Sequence, residues 1–158
     1  MIEFPLTVLY TQIQAYRAGM PRPGSLWTND HVAQGFAWRS ETVAFGVPDH
    51  DGPCLLQAGA VARHQLDPEA QWAVAVPFEV TTGRVSVGTV LNTVDIELPA
   101  GRHRLIFEAR PGVARGDANY AFLLRLSFMP DAAADFAILR RGDELTTDTV
   151  LRRDADPA

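Results

Sequence analysis

The sequence predicts an all-β fold, an antiparallel β-sandwich, jelly-roll-like or barrel-like, with one short helix near residues 28-34. Three observations carry that expectation. Apolar residues recur with a period of two through several segments, the signature of strands with one buried face. Clusters of Gly, Pro and Asp punctuate those segments at short intervals, as in sandwiches and barrels. No segment carries the 3.6-residue period of a long amphipathic helix, so a parallel α/β sheet with helical crossovers is not expected.

Taken in order, a weak strand is expected over 4–10. A loop over 17–26 follows, rich in turn formers (Gly19, Pro21, Pro23, Gly24), and delivers the chain to Trp27. Residues 27–38 are the most informative stretch. Thr28 suits an N-cap, Asn29 and Asp30 suit the first helical turn, and Gly35 suits the left-handed residue past the end. The period then changes: Phe36 and Trp38 share one strand face, and Val43 and Phe45 share another over 42–46. A weaker strand is expected over 55–62. The cleanest alternation is 71–80, where Trp72, Val74, Val76, Phe78 and Val80 face inward. Pro77 cannot donate to a ladder, which places this strand at an edge or gives it a bulge.

Residues 84–89 alternate next, with Val85 and Val87 inward, and then 93–98, with Val94, Ile96 and Leu98 inward and Asp95 and Glu97 outward. A Pro99-Ala100-Gly101 turn leads to a strand over 102–109. Residues 110–119, with Pro111, Gly112 and Gly116, read as a long hairpin loop. Tyr120, Phe122, Leu124, Leu126 and Phe128 line one face of a strand over 120–129, and a weak strand over 136–139 follows. Residues 1–140 are expected to form a single sandwich domain. Residues 141–158 form a charged C-terminal extension, its last six residues expected to be disordered.

Composition narrows the function. A 158-residue chain with 47% hydrophobic residues can bury a core without disulfides or metals. No run approaches the ~18–20 apolar residues of a membrane helix. The N-terminus lacks the basic and apolar regions of a signal peptide, so the expected location is cytoplasmic with no membrane partner. The net charge of −5 argues against direct nucleic-acid binding and suits a partner with a basic protein surface. Cys54 is the one cysteine, so no internal disulfide forms, and its Cys-Leu-Leu setting reads as a small buried hydrophobe.

No catalytic constellation emerges. His31, His50, His64 and His103 lack metal-ligand spacing, and no metal or cofactor is expected. Pro48-Asp49-His50-Asp51-Gly52-Pro53 is first a turn sequence and only second a metal loop. The segment 83–88 is Gly-punctuated but alternates as a strand with no helix after it, so it is no phosphate cradle. Asp95 and Glu97, at i and i+2, could approach to about 6–7 Å like a glycosidase pair, against the plainer reading of a solvated strand face. Asp30 with His31 reads as a cap residue beside an exposed histidine.

The stretch Trp27-Thr28-Asn29-Asp30-His31-Val32-Ala33-Gln34-Gly35-Phe36 resembles the Trp-Thr-Asp-Glu-x-x-x-x-Gly-[Phe/Tyr] signature of the competence protein J family. The resemblance continues in order through Tyr10-x-Gln12, Val76-Pro77-Phe78-Glu79-Val80 and Leu98-Pro99-Ala100-Gly101-Arg102-His103-Arg104-Leu105, and spans about residues 6 to 107. Asn29-Asp30 replaces the commoner Asp-Glu pair, and His103 stands where an aromatic is usual. The resemblance implies a small, cofactor-free, non-catalytic inhibitor that forms a stoichiometric complex with a nuclease and blocks its DNA groove. Candidate partner-binding residues are Trp27, Asn29, Asp30 and His31. Two other readings of the residues stay open: a carbohydrate- or small-ligand-binding sandwich using Trp27 or Trp72, and a hydrolase with a dispersed site around Asp95, Glu97 and His103.

Overall fold

The computed structural model describes residues 1–158. In chain order the elements are β1 (Ile2–Leu6), β2 (Gln12–Arg17), α1 (Asn29–Gln34), β3 (Phe36–Arg39), β4 (Thr42–Gly46), β5 (Cys54–Ala60), β6 (Trp72–Val80), β7 (Arg84–Thr89), β8 (Asn92–Glu97), β9 (Gly101–Arg115), β10 (Ala118–Pro130) and β11 (Ala137–Arg140). They form a six-stranded sheet in the order β1-β5-β10-β9-β6-β11 and a five-stranded sheet in the order β3-β4-β2-β7-β8. Both sheets are open, so the fold is a sandwich and the barrel-like alternative falls. One pair departs from the antiparallel rule. β10 runs parallel to β5, with Leu55 opposite Leu123 and Ala60 opposite Phe128. Between them the chain visits the other sheet and passes through β9, and a connection of that length permits parallel pairing.

The period-two pattern becomes the core. Trp72, Val74, Val76 and Phe78 from β6, Leu105 and Phe107 from β9, and Leu124, Leu126 and Phe128 from β10 meet Ile13, Val43, Phe45, Val85 and Val87 of the opposite sheet in one cluster of 27 buried residues. Phe45 and Phe107 stack across the sandwich with ring centroids 5.0 Å apart. Trp38 is half-buried, and its indole Nε1–H donates to the Pro77 carbonyl at 2.7 Å, tying β3 to β6 between the sheets. β11 reaches β6 only at Ala73, Val74 and Ala75. Pro77 therefore sits where β6 has a free edge, and its missing N–H removes no ladder bond.

Several expectations are corrected. β2 is an addition to the strands expected from the sequence. Its inward residues, Ile13 and Ala15, are only two, and Gln14 is also buried, which blurs the alternation. β1 ends at Leu6, and the residues after it turn back toward β2. Residues 110–119 are not a loop: β9 and β10 run on to a two-residue Gly116-Asp117 turn, with Gly116 at φ 59°. Pro111 sits at the far end of this ribbon and pairs with Phe122. Val94, expected inward, remains 36% exposed because β8 is an edge strand.

The C-terminal extension was expected to end in disorder. It lies against the fold instead. Leu145 belongs to the core cluster and Val150 packs on it. The Leu26 N–H donates to the Asp156 carbonyl at 2.8 Å and the Ala158 N–H donates to the Gly24 carbonyl at 3.1 Å. Hydrogen bonds to backbone groups hold this segment, and such bonds leave no apolar period in a sequence.

Candidate functional site

α1 is six residues long, fewer than two turns and too short to persist alone; the Thr28 and His31 side chains close its start and the Gly35 backbone closes its end. Thr28 is the N-cap. The His31 Nδ1 accepts the Thr28 N–H at 2.9 Å, in the place a glutamate takes in an ordinary capping box. The other ring nitrogen donates to the Asp154 carbonyl at 2.7 Å, which fixes the Nε2–H tautomer. His31 is thus fully buried, and the expectation of an exposed histidine is corrected. It is removed from any contact surface for the same reason: the third helical residue points back at the cap, and the tail then covers it.

Gln34, also fully buried, has every polar valence filled. Its Nε2 donates to Phe36 O at 3.0 Å and Arg152 O at 2.7 Å. Its Oε1 accepts the Leu151 and Arg152 N–H groups, both at 2.9 Å. Gly35 closes the helix at φ 85°, a left-handed conformation that suits glycine. An added Cβ there would also lie 2.8 Å from a Leu145 methyl. Motif and tail are one construction.

That construction forms one wall of a cleft of about 600 Å³, completed by the β1–β2 turn, the end of β4 and the start of the tail. Gly35 and Gly46 lie side by side in it, the Gly46 N–H donating to the Gly35 carbonyl at 2.8 Å. Trp27 is half-buried in the wall. Its Nε1–H donates to Gln12 Oε1 at 3.1 Å, and the His31 ring meets it edge-on at 6.2 Å. Tyr10 is 79% exposed. Tyr10 and Thr11 both hold left-handed backbone, at φ 57° and 52°, which is costly for a β-branched threonine. Val32, on α1, is exposed at the same cleft. Asp49 and Glu144 supply carboxylates to the lining. Both are exposed, neither forms an ion pair, and the Asp49 N–H donates to Glu144 Oε1 at 3.4 Å.

Of the expected contact residues, Trp27 lines the cleft, Asn29 and Asp30 are exposed on α1, and His31 is sealed beneath the tail. Tyr10, Asp49 and Glu144 were not singled out as contacts. Tyr10 had a signal in the Tyr-x-Gln match. Asp49 and Glu144 are 95 residues apart and had none.

The other clusters are structural. Asp95 accepts from Ser86 Oγ at 2.5 Å on an edge strand, and Glu97 faces Arg84 across the β7–β8 pair. His103 lies in the other sheet, buried, with its Nδ1–H on Gly101 O and its ring against Phe128. The hydrolase trio does not assemble. His50 donates from Nδ1 to Pro48 O at 2.7 Å, and its Nε2 lies 3.2 Å from the Cys54 sulfur. Burial pushes the Cys54 thiol up to about 11, so it stays protonated. No group of three or more His, Cys, Asp and Glu side chains gathers with metal-holding geometry. On the outer side of the six-stranded sheet, buried Glu108 accepts from His64 Nε2 at 3.0 Å and the Asp67 N–H at 2.8 Å. Arg110 and Arg125 approach Asp67, and together these groups pin the segment before β6 to the sheet.

Residues 5–129 match the family described as competence protein J (ComJ). Among solved structures, the chain is similar to ComJ from Bacillus subtilis, described as an inhibitor of the DNA degrading activity of NucA. The TM-score is 0.71 at 17% identity, over 83% of this chain and 96% of that one. A protein described as crocagin biosynthetic gene J aligns with a TM-score of 0.45 at 22% identity, over 82% of this chain and 95% of that one. No curated protein matches the chain.

Proposed function

Because the chain belongs to the competence protein J family, we propose that it is a non-catalytic, cytoplasmic nuclease inhibitor. It forms a stoichiometric complex and blocks the enzyme's DNA groove. The family match over residues 5–129 carries this reading. Charge supports it: a nuclease offers DNA a basic groove, and a chain of net charge −5 is drawn to that surface.

The contact surface in this reading is the end of the sandwich that holds the cleft. Trp27 lies in its wall, Asn29 and Asp30 stand on α1, and Asp49 and Glu144 line it, with Asp51 and Asp143 near them in the chain. Asp30, Asp49, Asp51, Asp143 and Glu144 are all exposed carboxylates without an ion-pair partner of their own. A sugar-stacking role for Trp72 has no support, since that ring is only 4% exposed.

The test is co-purification with the NucA-type nuclease of the same genome, followed by DNA cleavage at increasing inhibitor ratio. The expected result is a complex of fixed stoichiometry and cleavage that falls to zero as that ratio is reached. Association slows as salt rises, because the steering field is screened. Full cleavage at a large excess of the chain rejects the reading.

A further inference from the structure

We infer that the cleft beside Trp27 is a receptor for an arginine side chain of the nuclease, a guanidinium that otherwise holds DNA phosphate. The inference rests on the inhibitor reading above and names the contact that reading leaves open.

Four observations meet here. The walls are aromatic and apolar: Trp27 is half-buried and held by Gln12, and Tyr10 stands 79% exposed on a left-handed turn. Such rings stack with a planar cation. The two carboxylates of the lining, Asp49 and Glu144, have no cation of their own. No basic residue lines the cleft, in a chain with 14 of them. Finally, Trp72 also lines it, and its buried indole N–H has no acceptor within the chain. That unpartnered donor borders the cleft.

The chemistry selects arginine over lysine. A guanidinium is flat, weakly hydrated and forked, so it can lie on an indole while donating to two carboxylate groups. An ammonium is a compact, strongly hydrated charge that cannot do both. A cleft of about 600 Å³ is within the range of preformed ligand sites and has room for one arginine with the main chain that carries it. The strain at Tyr10 and Thr11 fits a site held open in advance, since left-handed backbone at such residues gathers at binding sites.

The experiment uses the full chain and two readouts. In the first, the Trp27 indole N–H signal, assigned by its loss in Trp27→Phe, is followed by NMR during titration with N-acetyl-arginine amide. The lysine analogue and the uncharged citrulline analogue are titrated in parallel. The expected result is a saturable shift with arginine, a weaker one with lysine and none with citrulline. The arginine shift is lost in the double variant Asp49→Asn/Glu144→Gln. Both positions are exposed, so that variant keeps the melting temperature of the parent. In the second readout, the double variant raises the inhibition constant against the nuclease by about tenfold or more, as for loss of a hydrogen-bonded charge pair. Equal shifts with citrulline, no shift with arginine, or inhibition by the double variant equal to the parent's overturns the arginine receptor while leaving the inhibitor reading intact. If the parent fails to inhibit the nuclease at all, the inhibitor reading falls, and the amide titration decides the ligand chemistry of the cleft by itself.

Discussion

Replacing Gln34 with alanine removes four hydrogen bonds at once, two from its Nε2 and two to its Oε1. Each bond of this kind contributes about 1 kcal/mol net, so the ceiling is about 4 kcal/mol. The Leu151 and Arg152 N–H groups and the Arg152 carbonyl belong to the tail and can recover water when it lifts. The Phe36 carbonyl stays inside and recovers nothing. The expected loss is therefore about 2–3 kcal/mol. For a chain of this size, roughly 2–4 °C of melting temperature accompanies each kcal/mol, which gives a fall of about 4–12 °C. Gln34→Met keeps most of the volume but none of the bonds and should fall by nearly as much, separating the polar clamp from simple packing. The assay is thermal unfolding by circular dichroism, paired with hydrogen exchange. The Leu151 and Arg152 amides should lose protection in both variants, while the core strands keep theirs. A melting temperature within about 1 °C of the parent, with those amides still protected, refutes the idea that Gln34 clamps the tail.

Three further outcomes follow from the same geometry. Gly35→Ala forces a side chain into left-handed backbone and onto Leu145, and should cost about 1–3 kcal/mol in urea unfolding. It should also disturb the Trp27 indole resonance, because the cleft wall moves. Glu108→Ala leaves the His64 Nε2 and the Asp67 N–H without their acceptor and should cost about 2–4 kcal/mol by the same measurement. Cys54 should resist a thiol reagent at pH 8 in the folded chain and react promptly in denaturant, because burial holds its thiol up to about 11. The sign of the linked pH effect follows. The unfolded chain, with an ordinary thiol near 8.5, loses this proton first, so the stabilisation is full below that pH and is lost as pH rises through about 11. Cys54→Ser should remove that alkaline dependence.

The sequence speaks most clearly where one physical rule governs a whole segment. The inward stripe of β6 is legible because every second residue is large and apolar, and α1 is legible because a cap, an acidic first turn and a glycine stop coincide within a few residues. β2 escaped notice because only Ile13 and Ala15 carry its inward face, and the turn before it uses Tyr10 and Thr11 where glycine or asparagine would signal a hairpin. The β9–β10 ribbon is hidden in the sequence because Pro111, Gly112 and Gly116 are loop residues by local preference, and pairing over the whole length of the two strands overrides that preference. The parallel β5–β10 pair joins Leu55 to Leu123, and the ordered tail is held by Gln34, 118 residues from Arg152; no local pattern announces partners so distant in the chain.

The cleft divides in the same way. Trp27 and Gly35 stand out in the sequence as bounds of an unusual motif. His31, ranked with them, proves to be the pin beneath the tail, and the exposed partners of Trp27 come from the β1–β2 turn, the loop after β4 and the tail. The 27–38 stretch thus identifies the family and builds the wall of the cleft, while Asp49 and Glu144 bring the charge from elsewhere in the chain.

The most direct measurement is a hydrogen-exchange footprint of the full chain with and without its nuclease at saturating, equimolar concentration. Protection is expected to concentrate at residues 10–12, 27–35, 47–51 and 143–146, which surround the cleft, with the outer face of the six-stranded sheet unchanged. Protection confined to that outer face, or to the β7–β8 hairpin at the edge of the other sheet, would contradict the account.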